Sequence, residues 1–242
     1  MEPTLRSNLK KAYARFFREM GIDRDTGRLD GLPGKKFATY PYVGSKYGNA
    51  RKILFVGQDI GKDPQPGRIQ TFSERRASIE DKPLYRHNPH IAGTYMTALY
   101  FLKGGLGWRS HWEKIVNTGA TCQMALQHWE DLLPPENPLS YCALTNYHKF
   151  VKEHRQHRSG SMDRIYLNRE AERKFFIDVE LEAFNPDVVI FQGTGFERKM
   201  ADLRRARTRI YVGQHPSARG EGVREPKVLI EDMLERSRRI RG

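Results

Sequence analysis

The residues of this sequence that are best suited to chemistry are three polar side chains, each following a short apolar run. Asp59, Asn146 and His215 come at or just beyond the ends of the runs at 53–56, 139–145 and 209–212. A carboxylate can stabilise a cation, an amide can read a hydrogen-bonding edge, and an imidazole can donate or accept a proton. Asp, Asn and His are also common in caps and turns, so a purely structural role for each of them stays open.

The elements that must position these residues follow from the pattern of the whole chain. Strand candidates lie at 53–56, 139–145, 187–191 and 209–212, and helix candidates lie at 4–20, 91–102, 169–184 and 225–239. This alternation predicts one α/β domain in three layers, with a mostly parallel four-stranded sheet flanked by helices. Open parallel sheets bind ligands at the carboxyl ends of their strands, so we expect the three side chains to gather there.

The composition indicates the kind of partner. The chain has 242 residues, with 42 Lys and Arg against 29 Asp and Glu, and a formal net charge of +13. So strong a basic balance favours a polyanion as partner, with nucleic acid first and an anionic membrane second, although a merely soluble basic protein also fits.

No apolar run reaches the roughly 18 residues of a membrane span, and the N-terminus lacks the apolar core of a signal peptide. Two cysteines, Cys122 and Cys142, suggest a reducing compartment. We therefore expect a cytoplasmic protein, nucleoid-associated if the source is bacterial.

A basic segment at 147–168 is the most conspicuous local bias of charge. It mixes Lys, Arg and His with aromatic residues, as nucleic-acid surfaces do, or it is a solvated charge run. Lys149, in this segment, is a candidate DNA contact. Two histidine pairs, His87 with His90 and His154 with His157, lack the further ligands that a metal site needs. We predict neither a metal nor another cofactor.

Three motifs taken together, in order along the chain, resemble those of the uracil-DNA glycosylase superfamily. They are Gly57-Gln58-Asp59 with Phe72-Ser73 at the end of the same loop, Leu144-Thr145-Asn146, and Gly213-Gln214-His215-Pro216-Ser217. The segment 185–193 resembles the strand that precedes the family's His-Pro-Ser loop. The likeness extends from about residue 51 to residue 223, with weak stretches between the motifs.

The resemblance implies a role for each matching residue. Asp59 would stabilise the oxocarbenium-like sugar and orient the attacking water, and His215 would donate a hydrogen bond to the departing base. Phe72 would stack on the flipped base, Asn146 would read its edge, and Gln58 would help to line the pocket. Ser73 and Ser217 would contact phosphates. Arg219, where the best-known branch has an apolar wedge, would fill the gap left by the flipped nucleotide.

One departure from the family concerns the substrate. The best-known branch has a Tyr two residues after the catalytic Asp, where it blocks the pyrimidine C5 substituent, and this chain has Gly61. The missing side chain leaves room for a thymine-like base or a larger C5-modified pyrimidine.

We therefore expect a monomeric, monofunctional, metal-independent DNA glycosylase. Its target would be uracil or a C5-modified pyrimidine such as a modified cytosine, in base-excision repair or in defence against modified phage DNA. The alternative is a non-catalytic nucleic-acid-binding module on the same fold. An unrelated nucleotide-binding α/β enzyme is disfavoured, because no Gly-rich phosphate fingerprint follows the first strand.

Overall fold

A computed structural model describes residues 2–31, 34–58, 60, 63–152, 169–196, 208–218 and 224–241. The helices are α1 (Glu2–Met20), α2 (Phe72–Ala77), α3 (Pro89–Leu106), α4 (Arg109–Val116), α5 (Cys122–His128), α6 (Arg169–Phe175), α7 (Leu181–Phe184) and α8 (Pro226–Arg241). The strands are β1 (Lys35–Phe37), β2 (Tyr42–Val43), β3 (Ile53–Gly57), β4 (Cys142–Asn146), β5 (Phe150–Lys152), β6 (Val188–Gln192) and β7 (Arg209–Gly213). A π-helical turn, Phe176–Glu180, joins α6 to α7.

The main sheet has five strands in the order β2-β4-β3-β6-β7. Strands β4, β3, β6 and β7 are parallel, and the short edge strand β2 runs antiparallel to β4. The predicted α/β class, the mostly parallel sheet and its four parallel strands are confirmed. The strand count is wrong by one, because β2 lies within 21–50, where no strand was predicted. This range also contains β1, which pairs antiparallel with β5 in a separate two-stranded sheet.

The central strand β3 explains why both faces of the sheet carry helices. Its residues 53–56 are apolar and fully buried, as is typical of a parallel strand covered on both sides. Ile53 and Phe55 pack in a cluster with residues of α3, α4, α5 and α8. Leu54 and Val56 point the other way and pack with residues of α1, the π-helical turn and α7.

Helix α3 matters most for the site. It begins at a local signal, because the Asn88 side chain accepts the Ile91 N–H at 2.9 Å and Pro89 occupies the first turn. It ends at Gly107, whose φ of 72° is left-handed. The end predicted for this helix, at residue 102, is too early, since the helix continues through Gly104 and Gly105 to Leu106.

Two further predictions concern membrane spans and the basic segment. No helix in the described ranges is long and apolar enough to cross a membrane. Of the basic segment 147–168, residues 153–168 lie outside the described residues, and the described start of the segment contains strand β5.

Candidate functional site

The carboxyl ends of the four parallel strands form one row. In the strand register, Gly57 lies opposite Asn146 on one side and Gln192 on the other, and Gln192 lies opposite Gly213. The chain passes from β3 to β4 on one side and then returns to β6 on the other, so the strand order reverses at β3. Such a reversal is where open α/β sheets bind ligands. Strand β6 separates β3 from β7, so the ends of β4 and β7 are three strand spacings, about 14 Å, apart.

Asn146 lies against the end of β3 because position 57 is glycine. A Cβ on Gly57 would lie 2.6 Å from the Asn146 amide oxygen, which is closer than real Cβ contacts allow. Asn146 is half-buried, and its amide makes no hydrogen bond with any described residue. Beyond it, the Tyr147 N–H donates to the Gly57 carbonyl at 2.8 Å and fixes the path of the chain. The backbone around Asn146 is thus fixed, while the hydrogen-bonding groups of its amide are unused within the described residues.

Gln58, directly after β3, resembles Asn146 in having a fixed backbone and a side-chain amide without hydrogen bonds to described residues. Its backbone carbonyl accepts the His148 N–H at 3.0 Å. Its side-chain amide lies beside the backbone that follows β6, where a Cβ on Gly195 would meet the Gln58 amide nitrogen at 3.6 Å. No described residue forms a hydrogen bond with that amide. The predicted neighbours Asp59 and Gly61 lie outside the described residues.

His215 is held by the residue two positions further on. The Ser217 N–H donates to His215 Nδ1 at 3.3 Å, and the Ser217 hydroxyl lies 2.8 Å from the same nitrogen. A backbone N–H can only donate, so Nδ1 acts as the acceptor and the proton of the neutral ring is on Nε2. Ser217, predicted to be a phosphate contact, has its hydroxyl on the histidine ring.

A second histidine, His90 of α3, supports the His215 ring. The two rings are stacked, with centroids 4.7 Å apart and an interplanar angle of 28°. His90 Nε2 lies 2.9 Å from the Gln192 amide oxygen, and the Gln192 amide nitrogen donates to the Thr94 hydroxyl at 2.8 Å. That hydroxyl donates in turn to the His90 carbonyl at 2.8 Å. This closed circuit orients the His90 ring as an Nε2–H donor.

Burial keeps His90 neutral. It lowers the pKa of His90 to about 4, and the adjacent His215 lowers it further in the same direction. At neutral pH the His90 ring that stacks on His215 is therefore uncharged.

The loop that carries His215 is clamped from two sides. A Cβ on Gly93 of α3 would lie 2.6 Å from the Pro216 Cβ, so the helix and the loop touch only because position 93 is glycine. On the other side, Arg224 donates to the carbonyls of Ala218 at 3.0 Å and Ser217 at 3.3 Å. The predicted wedge residue Arg219 lies outside the described residues.

The aromatic side of the site differs from the arrangement that the resemblance implies. Phe72 is only 4% exposed and stacks on Tyr40, with ring centroids 4.6 Å apart and an interplanar angle of 17°. Tyr40, and not Phe72, lines the cavity described next. Ser73, the other residue predicted at this loop end, is exposed.

A small cavity lies beside the end of β4. Its volume is about 10 Å³, and its walls include Tyr40, Ile60, Arg75, Asn146 and Lys149. That is room for about one water molecule. A base enters such a space only if its walls move apart.

Lys149 is buried, which corrects its assignment as a DNA contact. It is 2% exposed, and its ammonium donates to Glu180 at 2.5 Å and to the Thr145 hydroxyl at 2.7 Å. Glu180, also buried, accepts from the Thr145 hydroxyl at 2.9 Å and from the Tyr13 hydroxyl. The ion pair joins the segment between β4 and β5 to the π-helical turn beneath the site.

A buried lysine that the sequence reading missed supports the loop after β3. The Lys36 ammonium donates to the carbonyls of Gln65 at 2.6 Å and Arg68 at 2.7 Å, and lies 3.1 Å from the Asp63 carboxylate. Lys36 is fully buried. It ties the end of this loop to β1.

The described residues contain no group of three or more His, Cys, Asp or Glu side chains that could hold a metal ion. Cys122 and Cys142 are both buried free thiols. A scan against protein-family models finds no match for this chain, and a search of the curated proteins finds no match either.

Proposed function

We propose that this protein is a monofunctional DNA glycosylase that flips a pyrimidine nucleotide out of DNA and hydrolyses its N-glycosidic bond. The observation that carries the proposal is the state of His215. Its Nδ1 accepts the Ser217 N–H, so its Nε2 carries a proton at the row of strand ends that also bears Asn146 and Gln58. A neutral imidazole N–H is a suitable donor to an oxygen that gains negative charge.

The reaction needs such a donor. As the bond between the sugar C1′ and the base N1 breaks, its electron pair leaves with the base and spreads onto the base oxygen, while the sugar becomes an oxocarbenium ion. In this proposal His215 donates to that oxygen, and Asp59 stabilises the cation and orients the water. The water adds to C1′ and loses one proton to the Asp59 carboxylate, and the base anion takes up one proton from solvent, so the products are the abasic sugar and the neutral base.

In this proposal the base is recognised by two amides that make no hydrogen bonds within the described part of the chain, those of Asn146 and Gln58. Each offers an N–H donor and a carbonyl acceptor. Rotating the Asn146 amide presents either group, so the same residue suits the edge of uracil or of cytosine. With no side chain at Gly61, the proposed substrates are uracil and pyrimidines enlarged at C5, including modified cytosines.

The proposal includes the fold and the partner. A mostly parallel sheet with helices against both faces and polar side chains at its carboxyl edge is compatible with a three-layer uracil-DNA-glycosylase-like domain. The net charge of +13 suits DNA as the partner of a monomer, and predicts binding that weakens steeply with salt. Base-excision repair and defence against modified phage DNA are both settings for such an activity.

One assay tests the activity. Duplexes carrying uracil, a thymine mismatch or a 5-substituted cytosine are incubated with the protein, and abasic sites are then cleaved with alkali. We expect a product from at least one duplex, its loss in Asp59→Asn, and a fall of about 10²–10³ in rate for His215→Ala, as for other lost transition-state donors. No product from any duplex would contradict the proposal.

The same variant separates the enzyme from a non-catalytic binding module. If the chain is an enzyme, Asp59→Asn binds DNA about as well as the wild type while cleavage is lost. If the wild type binds DNA and cleaves none of the duplexes, the binding module is the better explanation.

A further inference from the structure

Arg75 is a cation near the candidate site that has no partner among the described residues. It belongs to α2, is partly buried, and its Nε is shielded from solvent without a hydrogen-bond acceptor. No described carboxylate or carbonyl pairs with its guanidinium. Other arginines nearby and elsewhere do have partners, since Arg68 pairs with Glu74 and Arg236 with Asp232.

A partly buried guanidinium whose Nε is shielded from solvent and unpaired carries a desolvation cost, so its presence needs a reason. Burial lowers the pKa of Arg75 to about 10. The guanidinium is nevertheless charged at neutral pH, and removing a charge from water without a partner is unfavourable. A partner that arrives with a ligand would remove this cost.

The surroundings of Arg75 indicate where that ligand lies. Arg75 lines the small cavity together with Asn146, Tyr40 and Lys149. The Lys149 ammonium is already engaged with Glu180 and Thr145. Arg75 is therefore the cation of this cavity whose donors are unused, and it shares the cavity with the amide that we propose reads the base.

The chemistry of the guanidinium defines the class of ligand. It has five N–H donors and no acceptor, arranged as a fork that matches two neighbouring oxygen atoms. We propose that Arg75 binds a paired-oxygen group of the nucleotide held in the candidate site. This inference rests on the proposed function. The group belongs either to the phosphodiester beside the flipped nucleotide or to an oxygen-bearing substituent at the pyrimidine C5.

Two measurements on Arg75→Met distinguish these sources. One is the affinity for a duplex with a tetrahydrofuran abasic analogue, which keeps the phosphates but has no base. The other is kcat/KM on duplexes carrying uracil, 5-carboxylcytosine or glucosylated 5-hydroxymethylcytosine, of which the last two have paired oxygens in the C5 substituent. A phosphate contact predicts at least tenfold weaker binding of the abasic duplex. A substituent contact leaves that affinity unchanged and lowers kcat/KM at least tenfold on the oxygenated bases relative to uracil.

The matched control is Arg109→Met, which removes the same charge from an exposed residue that pairs with Glu113 on α4. Arg75→Lys keeps the charge and loses the fork, and we expect it to lie between the wild type and Arg75→Met. Thermal unfolding checks that both variants are folded. If Arg75→Met and Arg109→Met then give the same affinity and the same base preference, the inference is wrong.

A third measurement keeps this inference separate from the glycosylase proposal. Binding of inorganic phosphate, followed by calorimetry, needs no cleavage, and we expect Arg75→Met to weaken it at least tenfold. If no duplex is cleaved but phosphate binding depends on Arg75, the glycosylase proposal fails and the anion site remains. If duplexes are cleaved, and phosphate binding, DNA binding and base preference are all independent of Arg75, the glycosylase proposal stands and the inference about Arg75 is wrong.

Discussion

The two ends of the strand-end row differ in how their polar groups are used. At the β7 end, His215 is fixed by Ser217, stacked on His90 and backed by the circuit through Gln192 and Thr94. At the β4 end, the amides of Asn146 and Gln58 and the Arg75 guanidinium make no hydrogen bonds within the described residues.

This difference suggests a division of labour. A donor that stabilises a transition state works best when its orientation is set beforehand, because no reorganisation is then needed during the reaction. Groups that recognise a ligand must instead keep their hydrogen bonds for it. The β7 end has the first property and the β4 end has the second. Two glycines allow the comparison to be tested. Gly93 contacts the His215 loop at the β7 end, and Gly57 lies beside Asn146 at the β4 end.

Gly93→Ala should have the largest effect, because it acts on the prearranged end. The new Cβ would lie 2.6 Å from the Pro216 Cβ, and neither the helix nor a proline ring yields easily. Overpacking of this kind costs about 1–3 kcal/mol of unfolding free energy. Displacement of the His215 loop should also lower the cleavage rate by more than the loss of stability explains. Chemical denaturation and single-turnover kinetics measure the two effects.

Gly104→Ala is the matched control, on the same helix, with nothing within 4 Å of the new Cβ. Replacing a helical glycine with alanine there should add roughly 0.5–1 kcal/mol of stability. It should leave cleavage unchanged. Equal effects of the two substitutions would mean that the contact between α3 and the loop does not position His215.

Gly57→Ala tests the open end and should have a smaller effect on stability. Its Cβ would lie 2.6 Å from the Asn146 amide oxygen, but that atom ends a side chain that can rotate away. We expect a change in unfolding free energy below about 1 kcal/mol, together with the loss of one recognition contact, worth about 0.5–1.5 kcal/mol. Cleavage should fall roughly two- to tenfold through KM. A loss of stability as large as that of Gly93→Ala would show that Asn146 is as rigidly held as His215.

Much of the fold could be predicted from the sequence. Short apolar runs alternating with helical segments are a local signal, and they located all four parallel strands. The row of strand ends followed from the rule that parallel strands share a carboxyl edge. The β2 edge strand has only two residues and lies among Gly, Pro and Tyr residues, so no periodicity could reveal it.

The supporting residues of the site could not be predicted in this way. His90 reaches His215 only because α3 packs against the loop after β7, and nothing local in the sequence indicates that contact. Lys149 stands in a basic segment and resembles its neighbours, but the buried carboxylate of Glu180 draws it inside. The roles of Asp59, Gly61 and Arg219 stay predictions from the sequence.

The effect of pH on stability gives a further test of the prearranged end. The folded-state pKa of His90 is about 4, below the value of about 6.5 for an exposed histidine. Between these values the unfolded chain binds the extra proton, so the His90 contribution to stability is complete above pH 6.5 and is lost as the pH falls towards 4. We expect about 1–2 kcal/mol, because His90 retains some contact with solvent. His90→Gln, which has no such titration, should show a shallower fall in unfolding free energy from pH 7 to pH 4. Parallel curves for the two proteins would mean that the stacked His90 is not held neutral by burial.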